Sequence, residues 1–238
     1  MFAQFYQNTV IKNPKSIFII LLIALFSFGY YSKDFRLDAS SETLLIEGDP
    51  DLKYLQEITE RYGSKDFLIL TYTPNAKMAS NNSINNLLSL KYKIQSLNWV
   101  HSVITLLDIP LLSNSDAPLQ ERLENFKTLK DENVDRNRGF KEILSSPVFR
   151  NFVISEDGNT TGIIVNIKKD NVLKKLKDEK EIEKYKDKLK KKNHQNILEI
   201  RKIIKTYSEE SKIYLGGIPM IADDMMTFIK NDIVVFGV

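Results

Sequence analysis

The longest apolar run of the chain lies near its N-terminus. Residues 17–31 read IFIILLIALFSFGYY and carry no charge. They follow Asn13 and Pro14, and asparagine is a favoured N-cap while proline suits the first helical position. With a serine added at each end, the helix approaches the length of about 20 apolar residues that a bilayer requires. The pattern predicts a transmembrane helix over residues 16–32.

Two other structures fit an apolar run of this length. A cleaved signal peptide would need small residues at its cleavage site, whereas Gly29 is followed by two tyrosines. A core helix of a soluble protein would have to be enclosed on every face, because every face is apolar. The membrane helix is therefore the favoured interpretation.

The charges beside this run indicate its orientation. Lys12 and Lys15 precede it, whereas basic and acidic residues are mixed after it. Cytoplasmic flanks carry the excess of Lys and Arg, so we expect a cytoplasmic N-terminus at the inner (plasma) membrane. The rest of the chain is then periplasmic or otherwise extracytoplasmic. Residues 1–15 form either an amphipathic stretch on the cytoplasmic membrane face or a frayed terminus, and the pattern leaves both open.

Residues 33–65 read as a connecting segment that ends in a helix. A turn signal at residues 48–50 precedes this helix, which runs to about Arg61, and Gly63 is positioned to end it. The acidic residues of the segment invite comparison with a calcium loop, but they lack the regular spacing and terminal glutamate of an EF-hand. These residues are Asp38, Glu42, Glu47, Asp49 and Asp51. Turn and helix-cap chemistry explains them better.

The chain then alternates between β-prone and helical patterns. Residues 66–73 (DFLILTYT) and 100–107 (VHSVITLL) are short apolar runs of strand type. Between them, residues 82–97 repeat apolar side chains at helical spacing. The three segments together predict a β-α-β unit.

A polar, proline-interrupted stretch over about 108–147 follows and reads as an insertion. It is predicted to hold short helices near 118–130 and 137–145. After it, the turn signal Glu156-Asp157-Gly158-Asn159 predicts a β-hairpin whose second strand is the more apolar one, residues 162–167.

The last part of the domain is predicted as one long helix, about 178–207, and a strand, 211–217. The order β-α-β, insertion, β-hairpin, α, β suits an α+β two-layer sandwich of the ferredoxin-like, split β-α-β kind. The predicted fold class is thus α+β: an N-terminal transmembrane helix followed by a ferredoxin-like domain over residues 66–217 with a helical insertion.

Composition excludes several classes of site. The 238-residue chain has no cysteine, which removes disulfides, thiolate zinc sites and cysteine nucleophiles. Its formal net charge of +3 is uneven, because residues 168–192 hold twelve lysines and six acids, a local charge of +6. Acids are interleaved through this segment, so a solvated helix face is favoured over nucleic-acid binding.

The search for catalytic residues gives no candidate. His101 and His194 are the only histidines, and neither lies in a metal-binding or nucleophile motif. Asp223 and Asp224 are adjacent, so on a helix their side chains diverge and share a proton poorly. They read as acids near a helix start. We therefore expect no catalytic residue, no metal site and no cofactor, and we do not expect an enzyme.

The arrangement of these segments resembles the opening of an RND (resistance-nodulation-division) superfamily exporter of the MMPL-like branch. In that family the first span is followed by D-x-S/T…L-L-P-x-x-x-P, an aromatic-glycine pair ends the next helix, and G-x-P precedes the second span. The matching residues are Asp38, Ser40, Leu44, Leu45, Pro50, Tyr62, Gly63, Gly217 and Pro219. The chain departs from the pattern at Ile46-Glu47, where a proline is often found, and in its lysine-rich helix.

The resemblance implies the N-terminal part of a proton-driven exporter of hydrophobic or amphiphilic molecules, lipid-like or drug-like. Residues 66–217 would be its first porter domain, and residues 218–238 an amphipathic lead-in and the start of a second transmembrane helix. The proton relay of the family lies in later membrane helices, so this chain would hold none of it and would not transport alone. Its partners would be the lipid bilayer, the remaining membrane helices, a second porter domain, a hydrophobic substrate and further copies of itself, and not nucleic acid.

Two alternatives remain open at the level of sequence. The chain could be a single-span, membrane-anchored periplasmic binding or assembly module. It could also be an exported enzyme, which would require Asp223, Asp224 or His101 to support hydrolysis.

Overall fold

The computed structural model describes residues 11–32, 66–112 and 125–236, with isolated positions between 50 and 58 and at 118 and 120. The chain forms two compact units, Met1–Asp38 and Ala39–Val238. The first contains helix α1, Pro14–Ser32, which has no buried residue. Within the described part of the chain, α1 is the one helix long and apolar enough to cross a membrane. A core helix of a soluble protein would be mostly buried, and α1 is not.

The second unit is built on a four-stranded sheet with the order β2-β3-β1-β4, in which every neighbouring pair is antiparallel. The strands are β1, Phe67–Pro74; β2, Val100–Ile104; β3, Thr161–Ile167; and β4, Ser211–Gly216. Helix α2, Asn81–Gln95, connects β1 to β2, and helix α4, Glu179–Lys205, connects β3 to β4. Each of these helices therefore joins two parallel strands that are separated by a third strand.

The two faces of the sheet differ in burial. Leu68, Leu70 and Tyr72 of β1 are fully buried among apolar side chains of α2 and α4, because alternate residues of a strand point to the same face. The Tyr72 hydroxyl donates to the Ser83 carbonyl in α2 at 3.2 Å. Burial raises the pKa of Tyr72 to about 12.

The opposite face of the sheet is open and partly apolar. Ile69 pairs with Ile164, and Ile164 pairs with Ile104, so three isoleucines form a row across β1, β3 and β2. Each is 40% to 47% exposed. This face is not covered by the helices of the core.

The second predicted strand was too long. It ends at Ile104, and Leu106–Asp108 form a 3-10 helix capped by the hydroxyl of Thr105. Asp108 also accepts a hydrogen bond from the ammonium of the buried Lys91, a contact that ties this turn to α2. Burial raises the pKa of Asp108, but the hydrogen bonds from Lys91 and Thr105 outweigh it and leave the pKa below its ordinary value.

The insertion is part of the core. Helix α3, Arg136–Ser145, confirms the helix predicted near 137–145, and Asp135 caps it. Residues 125–130 are turns and a bridge rather than a helix, while most of 118–124 lies outside the described residues. Leu111, Leu129 and Ile143 bury their side chains in the main core.

The predicted hairpin forms only at its turn. Gly158 has a φ of +72°, and Asp157 accepts from the Asn159 N–H at 3.0 Å, but residues 149–154 are turns with a single bridge to β3, Ile154 to Thr161. The reason is that β3 is an interior strand. One edge of β3 pairs with β1 and the other pairs with β2. Only the first residues of β3 remain unpaired on the β2 side, and there Ile154 forms its bridge.

Helix α4 extends past the sheet. Its 27 residues span about 40 Å, whereas the seven residues of β3 span about 24 Å. Its fully buried residues are Ile197 and Ile200, both in the second half. The lysine-rich first half is therefore exposed except along a partly covered apolar edge that includes Leu189.

Replacing Leu70 with Ala should lower the free energy of unfolding by about 2–5 kcal/mol, because it empties a fully buried site. Ile69→Ala, the adjacent residue on the open face, is the matched control and should cost at most about 1 kcal/mol. Urea denaturation of the full chain in detergent, followed by the fluorescence of the single tryptophan, measures both. Equal losses would contradict an open sheet face.

Candidate functional site at the junction of α4 and α5

The chain turns sharply from the edge strand β4 into the last helix, α5, Ile218–Phe236. Gly217 makes this turn with a φ of +114°, and a Cβ there would lie 2.9 Å from the Phe67 carbonyl oxygen. The Gly217 carbonyl accepts from the N–H groups of Met220 and Ile221, both at 3.1 Å. Pro219 lies in the first turn, where its missing N–H costs no helical hydrogen bond.

Polar contacts hold α5 against α4. The Asn193 amide donates to the Pro219 carbonyl at 2.8 Å. His194 Nδ1 lies 2.9 Å from Asp223 Oδ1, and the Asp223 side chain is only 8% exposed. Arg201 Nη2 donates to both carboxylate oxygens of Asp224 at 2.8 Å.

The adjacent aspartates thus reach different partners, as their divergence on a helix requires. Asp223 and Asp224 are the sixth and seventh residues of α5, beyond the first turn, so the hydrogen-bonding contact with His194 and the ion pair with Arg201 explain them better than the position at a helix start that the sequence indicated. They do not share a site with His101, which is exposed on β2. The described residues contain no cluster of three or more His, Cys, Asp or Glu side chains that could hold a metal ion.

A groove of about 400 Å³ lies beside the start of α5. Its walls come from the end of β3, the following loop, the middle of α4 and the first turn of α5. The apolar lining residues are Trp99, Ile167, Leu173, Leu189, Ile218, Pro219 and Ala222. The polar ones are Asp66, Asn98, Lys168, Lys169, Asp170, Lys192, Asn193 and Asn196.

Hydrogen bonds order the polar rim of this groove. Asp170 accepts from the Tyr185 hydroxyl at 2.6 Å, and this bond lowers the pKa of Asp170 and raises the pKa of Tyr185. The Lys168 ammonium donates to the Asn98 carbonyl at 2.6 Å. Behind the rim, the indole N–H of Trp99 donates to Glu199 at 2.8 Å.

The outer side of α5 is apolar. Ile218, Ile221 and Phe228 follow one another at helical spacing and are 61%, 46% and 63% exposed. Ile233 to Phe236 are also exposed, after the polar residues Lys230, Asn231 and Asp232. Exposed apolar residues grouped in this way are typical of a surface that contacts a partner or a membrane.

Most residues of the family motif lie outside the described residues: Asp38, Ser40, Leu44, Leu45, Tyr62 and Gly63. Pro50 is described and is helical and exposed. Gly217 and Pro219 are described, and the structure brings them together at the α4–α5 junction.

The sequence pattern identified neither His194 nor Trp99 as a member of this site. One signal was present: His194 and Arg201 are seven residues apart, which is two helical turns, and an acidic pair follows in the next helix.

No protein-family model matches the sequence, and no curated protein matches it.

Gly217→Ala should lower the free energy of unfolding by about 1–3 kcal/mol, because Ala is strained at a positive φ and its Cβ would crowd the Phe67 carbonyl. The neighbouring Gly216→Ala is the control, since a Cβ there meets its nearest atom at 3.7 Å. Urea denaturation compares the two. Equal effects would show that the turn does not depend on glycine.

His194→Ala should loosen α5, because it leaves a buried carboxylate without this partner, at a cost of about 1–3 kcal/mol. Hydrogen exchange of the α5 amides should then be about tenfold faster or more. Arg201→Ala is the control: the Arg201–Asp224 pair is more exposed and should change exchange by less than about fivefold. Identical protection in the His194 variant would mean that Asp223 does not need the imidazole.

Proposed function

We propose that this chain is the N-terminal part of an RND-type membrane exporter of hydrophobic or amphiphilic molecules, and that it is not transport-competent alone. The observation that carries the proposal is the exit of α5 from the sheet edge. Helix α5 leaves through Gly217 and Pro219, is held to α4 by polar contacts, and exposes apolar residues both before and after its polar residues 230–232, ending at Phe236. These are the properties expected of a helix that leads from a porter domain towards the bilayer.

The sheet connectivity supports a porter domain of the ferredoxin-like kind over residues 66–217. In that fold two split β-α-β units interleave. Here α2 and α4 each join parallel strands across an intervening strand, which matches that connectivity. The insertion between β2 and β3 adds to the core without changing the strand order.

The α4–α5 contact suggests how such a domain would work in an exporter. Movement of a membrane helix continuous with α5 would pull directly on α4 through Asn193, His194 and Arg201. Because α4 packs on the sheet through Ile197 and Ile200, the domain would follow the helix as a body. The proton relay that drives this movement belongs to other membrane helices, since a charged residue inside the membrane is required and the apolar run 17–31 of α1 holds none.

The same proposal assigns location and partners. Helix α1 is the first membrane helix, the N-terminus is cytoplasmic, and the α+β domain lies in the periplasm or another extracytoplasmic space. Its partners are the bilayer, the remaining membrane helices and a second porter domain.

One observation favours a second candidate, a single-span anchored binding or assembly module. Within the described residues only α1 meets the length and composition of a membrane span. Helix α5 does not, because it contains Asp223, Asp224, Lys230 and Asp232. In this alternative the apolar side of α5 contacts a protein.

Cysteine labelling separates the candidates, since the chain has no native cysteine. In spheroplasts expressing the protein from its intact gene, a membrane-impermeant maleimide should label Asn159→Cys, an exposed turn position, directly and Lys12→Cys only after lysis. Val235→Cys should resist labelling in both conditions, because the bilayer covers it. Labelling of Val235→Cys as fast as Asn159→Cys would favour the anchored module and contradict the exporter.

A further inference from the structure

The groove beside α5 has an apolar floor and a cationic rim. Trp99 is buried, and Ile167, Leu173 and Leu189 are half-buried, so they form the deeper surface. The lining lysines are all exposed: Lys168, Lys169 and Lys192. The volume of about 400 Å³ falls at the lower end of the range of about 300–1,000 Å³ usual for small-molecule sites.

The rim favours an anion. Three lysines and two acids line the groove, and one of the acids, Asp170, already accepts hydrogen bonds from the Tyr185 hydroxyl and the Val172 N–H. Lys168 uses one N–H on the Asn98 carbonyl, which leaves two donors of its ammonium. The segment that supplies these lysines carries a local charge of +6.

The floor favours a hydrocarbon chain on that anion. A small inorganic anion would satisfy the lysines and leave the apolar floor wet, whereas a neutral lipid would cover the floor and leave the cations unused. An amphiphile with one chain and one negative headgroup satisfies both surfaces. The modest volume favours one chain over two.

We propose that this groove binds a single-chain anionic amphiphile of the fatty-acid type, its carboxylate at Lys168 and Lys192 and its chain against Trp99, Leu173 and Leu189. The inference rests on the proposed function for its source of ligand, the bilayer to which the apolar side of α5 would lead. Ile218 belongs both to that side and to the groove lining, so it connects the two surfaces. A bound chain contacts α4 and α5 together and so stabilises their junction.

Trp99 is the only tryptophan and lines the groove, which gives a direct readout. The full chain in phosphatidylcholine nanodiscs is titrated with dibromostearic acid, whose bromines quench tryptophan on contact. We expect saturable quenching by the acid and at least about tenfold weaker quenching by the brominated alcohol of equal chain length, which lacks the charge. Equal quenching by acid and alcohol would overturn the proposal.

Variants locate the headgroup. Lys168→Gln combined with Lys192→Gln should weaken the apparent affinity for the acid by about tenfold or more. Lys202→Gln combined with Lys212→Gln removes two exposed lysines that do not line the groove, and should change it by less than about twofold. Unchanged affinity in the first pair would overturn the assignment, and the tryptophan emission of the unliganded variants confirms that they are folded.

Three further outcomes test the ligand class and separate the groove assignment from the proposed function. If acetate competes as well as the fatty acid at equal concentration, the groove is a simple anion site and the amphiphile is wrong. If Val235→Cys is labelled from outside but quenching holds, the exporter fails and an amphiphile-binding anchored module remains. If that cysteine is protected but no quenching occurs, only the groove assignment fails.

Discussion

The backbone of β1 is the element on which the rest of the α+β unit depends. It pairs with β3 along one edge and with β4 along the other, and so joins the two β-α-β units. The turn into α5 packs on the same strand, because Gly217 lies against Phe67 and Leu68. A side chain at Gly217 would therefore disturb both the centre of the sheet and the path of the last helix.

The α4–α5 junction combines two kinds of contact with different physical roles. The His194–Asp223 contact is partly buried, so removing only one of the two side chains is costly. The Arg201–Asp224 pair is more exposed and contributes less to stability. The three polar contacts between the helices, from Asn193, His194 and Arg201, are all made in one register of α5 on α4. The groove next to this junction owes its shape to that register, since α5 supplies one of its walls through Ile218, Pro219 and Ala222.

The lysine-rich segment illustrates how helix length decides exposure. Because α4 is longer than the strands it packs on, its first half cannot be covered by the sheet and carries charge instead. Its remaining apolar residue near the middle, Leu189, lies in the groove beside lysines from the β3–α4 loop. A segment that looks like an ordinary solvated helix face therefore also forms the rim of a binding surface.

Local pattern in the sequence was enough to predict the elements with strong periodicity: α1, the β1-α2-β2 order, α4 and the last strand. Each is specified by residues close together in the chain, such as the alternation of Leu68, Leu70 and Tyr72 or the spacing of Ile197 and Ile200. Gly217 and Pro219 were identified from the family resemblance, and the structure places a positive φ and a helix start within three residues there.

Other features were decided only by the tertiary structure, because they depend on which edges and faces meet. The first strand of the predicted hairpin did not form, because β1 and β2 already pair with the two edges of β3. Strand β2 ends at Ile104, because Thr105 caps a 3-10 helix. The pairing of His194 with Asp223, and the meeting of Trp99 with residues almost a hundred positions away, likewise require the fold. Sequence alone thus determined the strongly periodic elements, because neighbouring residues specify them, while the contacts that make a site came from long-range packing.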